Sequence, residues 1–304
     1  MSKSRILVSV DGSDLSEAAL SYATLIAKAN GAGLLLITVW EEGERALIAN
    51  VPDVADSLFA QGEEYWESYL AGLAEELKDQ EFDVETEVLI GDATDEILRI
   101  IRKRQPRLLV TATHGRSGLG RWHYGSVAGK LAREAPVPML TIGPKVLADE
   151  HRDRGIRRIL VPLDGSSMGE AALQPALELA DACDADIVLA RVLRWTTQVF
   201  IYGIPDVNVA QVDEDLAKAA NDYLTRIRDS LATKRRVETE VLRGAPADAL
   251  IDLIEAERID LVVMASHTRG GIGRAMLGSV ADRLLQGAAP VLLIRPEEVA
   301  PGKI

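Results

Sequence analysis

Residues Val10–Ser13 read Val-Asp-Gly-Ser, and the same turn returns as Leu-Asp-Gly-Ser at Leu163–Ser166. Two further segments return at the same separation of 153 residues: the Gly-rich segment Thr113–Arg121 as Ser266–Arg274, and the Gly-Ser-Val-Ala segment Gly125–Ala128 as Gly278–Ala281. A repeat of this length corresponds to a whole domain rather than to a unit of a solenoid. The sequence therefore predicts two copies of one domain in a single chain.

The composition fits this organisation. The chain has 304 residues, of which 47% are hydrophobic, enough for two cores. We expect no membrane span, since the chain lacks an apolar run of about 18 residues, and no signal peptide, so that a cytoplasmic location is the default. The formal net charge of −13 disfavours nucleic acid as the main partner. The single cysteine, Cys183, excludes an internal disulfide and is interpreted as a core residue rather than a nucleophile.

Strands and helices alternate along each repeat. Short apolar runs predict strands, and apolar residues at helical spacing, as over residues 14–30 and 126–134, predict helices between them. The predicted strands cover residues 5–10, 34–39, 82–90, 108–111 and 138–142, and in the second repeat 157–163, 185–192, 236–242, 260–265 and 290–294. This alternation predicts an α/β protein with a parallel sheet in each domain. We assign residues 1–143 to the first domain, 144–156 to a charged linker with Gly and Pro, and 157–304 to the second domain.

Two segments of each repeat fall where an open parallel sheet binds ligands, beyond the carboxyl ends of the strands. They are the Asp-Gly-Ser turn and the Gly-rich segment, which ends at the start of a helix. Free N–H groups at a helix start favour an anion, and glycines let the backbone approach it. Residues 113–133 contain no Asp or Glu but four basic residues, Arg116, Arg121, Lys130 and Arg133. The pattern favours a small anion such as phosphate, with a solvated loop as the alternative.

Two familiar phosphate-binding motifs are absent from the sequence. A P-loop ending at Lys130 would need glycine where Tyr124 stands, and the third glycine of the dinucleotide pattern is replaced by His123 in the first repeat and Met276 in the second. No nucleophile with an adjacent base recurs in both repeats, and the sequence has no His/Cys cluster for a metal. We therefore predict neither catalytic residues nor a metal site.

The Asp-Gly-Ser turn, the Thr-His-Gly-Arg segment at residues 113–116 and the Gly-Ser-Val-Ala helix start together resemble the universal stress protein family in its tandem form. The resemblance covers nearly all of the chain apart from the linker and short tails. It implies a five-stranded parallel sheet in each domain, with strand order 3-2-1-4-5 and helices on both faces. It also implies a homodimer of tandem chains and an ATP site, since ATP-binding members carry Gly-x2-Gly-x9-Gly-(Ser/Thr) after the fourth strand.

That ATP pattern is imperfect in both repeats. It falls on Ala112, Gly115, Gly125 and Ser126 in the first repeat and on Ala265, Thr268, Gly278 and Ser279 in the second. Alanine adds only a methyl group, whereas a β-branched residue such as Thr268 is strained where the site needs a positive φ. We therefore expect nucleotide binding more firmly in the first domain than in the second.

The resemblance also assigns residues to the two ends of the nucleotide. It places Asp11 and Val39 at the adenine end and Gly115, Gly125, Ser126 and Val127 at the phosphates, with Asp164, Val192, Gly278, Ser279 and Val280 as the weaker counterparts. Each has a structural alternative: the aspartates could only cap a helix or form a turn, and the glycines could only make a tight loop. His114 and His267, which recur at one place, are interpreted as bracing the loop by a hydrogen bond.

Three functions follow from these observations. The leading hypothesis is an ATP-binding stress-response protein that acts as a sensor or regulator, with slow hydrolysis possible where Asp11 holds Mg²⁺ through water. The second is an interaction module without nucleotide, whose tandem sheets pair through their last strands. The third is a nucleotide-transferring enzyme, for which the sequence supplies no committed catalytic base.

Overall fold

The computed structural model describes residues 4–41, 55–113, 125–148, 155–194, 209–266, 277–287 and 289–295. The described part of the first repeat contains β1 (Arg5–Ser9), α1 (Asp14–Asn30), β2 (Gly33–Glu41), α2 (Ala55–Lys78), β3 (Val84–Gly91), α3 (Ala93–Arg104), β4 (Leu108–Ala112), α4 (Ser126–Glu134) and β5 (Met139–Ile142). That of the second contains β6 (Arg158–Pro162), α5 (Ser167–Glu170), α6 (Leu173–Cys183), β7 (Asp186–Leu193), α7 (Val209–Ser230), β8 (Val237–Arg243), α8 (Pro246–Ala256), β9 (Leu261–Ala265), α9 (Ser279–Leu284) and β10 (Val291–Ile294).

The strands confirm the predicted fold and join the two repeats in one sheet. The sheet has the order β3-β2-β1-β4-β5-β10-β9-β6-β7-β8. Each half therefore has the order 3-2-1-4-5, and all pairs within a half are parallel. The halves meet where β5 and β10 pair antiparallel, with Leu140 opposite Leu292. The last strands thus pair within the chain, as one of the sequence hypotheses required.

The apolar strands are buried because helices cover both faces of this sheet. One layer of the core lies under α1, α2, α6 and α7, and the other under α3, α4, α8 and α9. Alternate residues of β1 show the division, since Ile6 and Val8 belong to the first layer and Leu7 to the second. Both layers continue across the two repeats. This double cover explains why the central strands are almost entirely apolar.

The first helix of the second repeat differs from its counterpart. Where α1 runs unbroken from Asp14 to Asn30, the second repeat has the short α5 followed by α6. Pro175 occupies the position of Tyr22. Proline has no N–H, and its ring clashes with the carbonyl four residues earlier, here that of Ala171, so the helix is interrupted at Ala171–Ala172.

The seam between the repeats extends beyond the β5–β10 pair. A Cβ on Gly143 would lie 2.4 Å from the Cα of Gly287, so the two backbones touch there. At the other end of the β5–β10 pair, the guanidinium of Arg295 donates to the carbonyl oxygens of Arg133 at 2.9 Å and Ala132 at 2.6 Å, at the C-terminal end of α4. A cation at this end of a helix is favourable. The second domain therefore supports the helix whose first residues are candidate phosphate ligands.

Part of the predicted linker is ordered and packed. Residues Pro144–Ala148 form a 3-10 helix, and both Val146 and Ile156 are buried in the core layer shared by the two repeats. Within the described residues, no helix is both long enough and apolar enough to cross a bilayer.

Candidate functional site

The Asp-Gly-Ser turn has the same geometry in both repeats. In the first, Oδ1 of Asp11 accepts hydrogen bonds from the amide and the hydroxyl of Ser13 at 3.1 and 2.6 Å. In the second, Oδ1 of Asp164 accepts from the amide and the hydroxyl of Ser166 at 2.9 and 2.6 Å. The structure therefore gives both aspartates the turn-forming role that sequence reasoning left as an alternative to ligand binding.

The turn also starts the following helix. Ser13 and Ser166 are the N-caps, and their hydroxyls accept from the amides of Ser16 and Gly169 at 3.2 and 3.1 Å. The intervening Gly12 and Gly165 have φ values of 77° and 89°, in the left-handed region that favours glycine. Each turn thus lies at the carboxyl edge of the sheet with its backbone held by its own side chains.

A tyrosine and a glutamate brace each turn, a feature that the sequence comparison missed. The Tyr69 hydroxyl donates to Oε1 of Glu17 at 3.0 Å, and the Tyr223 hydroxyl donates to Oε1 of Glu170 at 2.9 Å. The glutamates obey the separation of 153 residues, but the tyrosines are 154 apart, so a comparison at constant spacing does not align them. Allowing a one-residue insertion before α7 would have found the pair.

The environment of these tyrosines favours the neutral phenol. Burial raises the pKa of Tyr69, and the nearby carboxylate of Glu17 raises it further. Burial also raises the pKa of Tyr223, with the hydrogen bond to Glu170 as the next cause. The nearby backbone of Gly12 lowers the pKa of Tyr69 and so acts in the opposite direction. Tyr69 of α2 therefore lies next to the Asp-Gly-Ser turn of the first domain.

The second candidate segment comes back to the end of β4. The amide of Thr113 donates to the carbonyl of Ile142 at 2.9 Å, and the amide of Gly125 donates to the carbonyl of Thr113 at 2.9 Å. Thr113 and Gly125, which flank residues 114–124 in the sequence, thus lie together at one point of the sheet edge. Gly125 is the N-cap of α4, and the first turn of that helix contains no acidic residue. Because β1 and β4 are neighbours, this helix start and the Asp11 turn lie at the same edge.

The start of α4 has the chemistry of an anion site. An α-helix leaves its first N–H groups without acceptors in the helix and carries roughly half a positive charge at this end. Gly125 presents no Cβ, and Ser126 is exposed at the first helical position with a hydroxyl that can donate. These donors fit the phosphates of a nucleotide. Gly125 and Ser126, which the resemblance assigns to the phosphates, therefore lie at a helix start that can accept an anion, and their role stays a prediction.

The remaining predicted residues lie at the strand ends or on the first helical turn and pack on the core. Val39 and Val127 of the first domain contact one core layer, as do Val192 and Val280 of the second. Ala112 contacts the other layer, as does Ala265. All are partly buried rather than fully enclosed. Val39 and Val127 thus share the face of the sheet covered by α3 and α4.

The second domain differs at the helix start. Helix α9 has six residues, against nine in α4, and its first turn contains Asp282 where the first domain has Gly129. A carboxylate in the first turn competes with a bound anion for the positive end of the helix. Gly278 and Ser279 are exposed at this start. An anion is therefore less favourable at the start of α9 than at the start of α4.

Gly115 and Thr268 lie outside the described residues, as do His114 and His267. Their assigned roles stay predictions. Cys183 lies within the described part and packs partly buried against the core. Burial raises the pKa of its thiol, which disfavours the reactive thiolate and agrees with the interpretation as a core residue.

Comparisons with known proteins extend over both repeats. A universal stress protein of Mycolicibacterium smegmatis is 28% identical over 306 residues, covering 96% of this chain and 97% of its own length. The crystal structure of a putative universal stress protein from Pseudomonas aeruginosa has a TM-score of 0.66 at 19% identity and covers 97% of this chain and 94% of its own. A universal stress protein structure from Archaeoglobus fulgidus has a TM-score of 0.64 at 17% identity, with 97% and 100% covered.

The family assignment rests on the sequence of both repeats as well as on the fold. The sequence profile of the universal stress protein family matches residues 3–143 and, separately, residues 155–295. The two matches correspond to the two halves of the ten-stranded sheet. The chain is a member of the universal stress protein family, in a tandem form with two copies of the family domain.

Proposed function

We propose that this chain is a cytoplasmic, ATP-binding regulator of the stress response, and that its first domain holds the nucleotide. The observation that carries the proposal is the start of α4, where Gly125 and Ser126 lie beside the Asp11 turn at one edge of the sheet. The phosphates would lie against the amides of Ser126 and Val127. The nucleoside would lie toward Asp11 and Val39.

The contacts of Asp11 support ATP binding without fast hydrolysis. Oδ1 of Asp11 already accepts two hydrogen bonds from Ser13, so this carboxylate serves the turn. A Mg²⁺ ion that accompanies ATP would neutralise phosphate charge, which matters in a chain with a net charge of −13. A ligand that binds only the folded form stabilises it, and this linkage is the means by which ATP would act as a signal.

A dimer of two such chains, which the resemblance implies, is part of the proposal. The edges of β5 and β10 are already paired within the chain. A second chain therefore has to use another surface. In the described part of the chain β3 and β8 are the outermost strands, and their glutamates pair with cations of the same chain, as Glu85 does with Arg5 and Glu238 with Arg158.

The experiment is a calorimetric titration with ATP, ADP and AMP in the presence of Mg²⁺, comparing Ser126→Ala with the matched variant Ser279→Ala. Both serines are exposed at the first position of a helix after a glycine N-cap, so neither change should disturb folding. A hydrogen bond to a charged group contributes about 1.5–3 kcal/mol, so we expect Ser126→Ala to weaken ATP binding roughly 10- to 100-fold. Ser279→Ala should leave it unchanged. Absence of wild-type binding at millimolar nucleotide would reject the proposal.

A further inference from the structure

The two Asp-Gly-Ser turns differ in the side chain that β2 and β7 place at equivalent positions. The first domain has Thr38, which is 1% exposed and whose Oγ1 has no hydrogen-bond partner among the described residues. At the same place in the repeat the second domain has Arg191. A neutral side chain of three heavy atoms is thus exchanged for a cation of seven.

The guanidinium of Arg191 lies directly against the second turn. A Cβ placed on Gly165 would lie 3.0 Å from Nη2 and 3.2 Å from Cζ of Arg191. Gly165 follows Asp164, which the resemblance places at the adenine end of the second site. The cation therefore fills space beside the residue that would hold the nucleoside.

Contacts with α7 hold Arg191 in this position. Its Cζ lies 4.9 Å from the centre of the Tyr223 ring, within the range of a cation–π interaction. Tyr223 is itself fixed by its hydrogen bond to Glu170. In the first domain the backbone of Gly12 lies close enough to Tyr69 to lower the pKa of its hydroxyl, and the residue of β2 at this place is the small Thr38. In the second domain Arg191 packs against both the turn and the tyrosine.

The charge of Arg191 acts in the same direction as its volume. Arg191 and Asp164 shift the pKa of Tyr223 oppositely, the first lowering it and the second raising it, so both charges reach the same hydroxyl. A guanidinium next to the turn offsets the negative charge of Asp164, which then holds a nucleoside less strongly. Arg191 thus disfavours the nucleoside at one end of the second site, and Asp282 in the first turn of α9 disfavours the phosphates at the other end.

We propose that Arg191 determines the specificity of the second site by closing its nucleoside end, so that an adenine nucleotide binds only the first domain. This inference rests on the function proposed above for the first domain. It concerns a single side chain of β7 and explains why two copies of one domain would bind one nucleotide.

The test counts bound ATP per chain by native mass spectrometry and titration calorimetry with MgATP up to millimolar concentration. Arg191→Thr introduces the residue of the first domain, in a background of Asp282→Gly, which introduces the first-domain residue at the helix start. The matched control in the same background is Arg194→Thr, which removes one positive charge from an exposed residue just after β7. Thermal unfolding of each variant confirms that it is folded, and Arg191→Ala, which also removes both the charge and most of the volume, replaces Arg191→Thr if the latter does not fold.

We expect one ATP per chain for the wild type, for Asp282→Gly and for the Arg194→Thr control. Arg191→Thr should bind two, with the added site at least tenfold weaker than the first. If Arg191→Ala is used in its place, the same second ATP is expected. One ATP in every variant, or two in the wild type, overturns the inference while leaving the first-domain function standing. No ATP on the wild type rejects the proposed function itself and this inference with it.

Discussion

The contact between Gly143 and Gly287 makes the seam between the repeats sensitive to a single methyl group. A Cβ on Gly143 would lie 2.4 Å from the Cα of Gly287, whereas two carbon atoms pack at about 3.5–4.0 Å. The end of β5 and the turn after α9 therefore have to separate by roughly 1 Å. Forcing atoms into a packed site costs about 1–3 kcal/mol, and both sides here are backbone. We expect Gly143→Ala to lower the free energy of unfolding by about 2–3 kcal/mol.

The assay is urea unfolding followed by circular dichroism, with Gly72→Ala as the control. Gly72 is an exposed residue within α2, and a Cβ there would meet no atom within 4 Å. Alanine is better than glycine inside a helix by about 1 kcal/mol, so Gly72→Ala should raise the stability. If Gly143→Ala unfolds at the wild-type urea concentration or above it, the seam is not packed as described.

Two further predictions concern the helix start at α3 and the braced tyrosines. Asp92 caps α3 by accepting from the amides of Thr94 and Asp95, whereas its counterpart at α8, Ala245, makes no side-chain cap. Asp92→Ala should lower the free energy of unfolding by about 1 kcal/mol, and Ala245→Asn should raise it by a similar amount. Equal unfolding midpoints for the two variants would contradict this. The raised pKa values of Tyr69 and Tyr223 contribute stability that is present below about pH 10, the ordinary value for tyrosine, and is lost as the pH rises above it. A Tyr69→Phe/Tyr223→Phe double variant should therefore lose stability less steeply in alkaline solution, and a decline identical to the wild type would refute the linkage.

Much of the fold could be predicted from the sequence because its signals are local. Apolar runs located each strand that the described residues form. Strand β3 begins at Val84 rather than at residue 82 because Glu81 has a φ of 69° and turns the chain first. The interruption of the first helix in the second repeat follows from Pro175, a signal present in the sequence that the repeat comparison overrode. The order 3-2-1-4-5 came from the family resemblance.

The candidate site was less predictable because its contacts join residues far apart in the chain. Tyr69 and Glu17 are separated by 52 residues, and Arg191 contacts Gly165, which lies 26 residues earlier in the chain. Arg295 caps α4 from 162 residues away. No spacing rule links such pairs, since only the closed sheet brings them together. The Asp-Gly-Ser turns were found because their hydrogen bonds span two residues.

The most direct measurement is a crystal structure of the chain grown with ATP and Mg²⁺. The account predicts electron density for one nucleotide per chain, with its phosphates against Ser126 and Val127 and its nucleoside beside the Asp11 turn. A nucleotide bound equally at Ser279 and Ser126, or phosphates bound away from the start of α4, would contradict it.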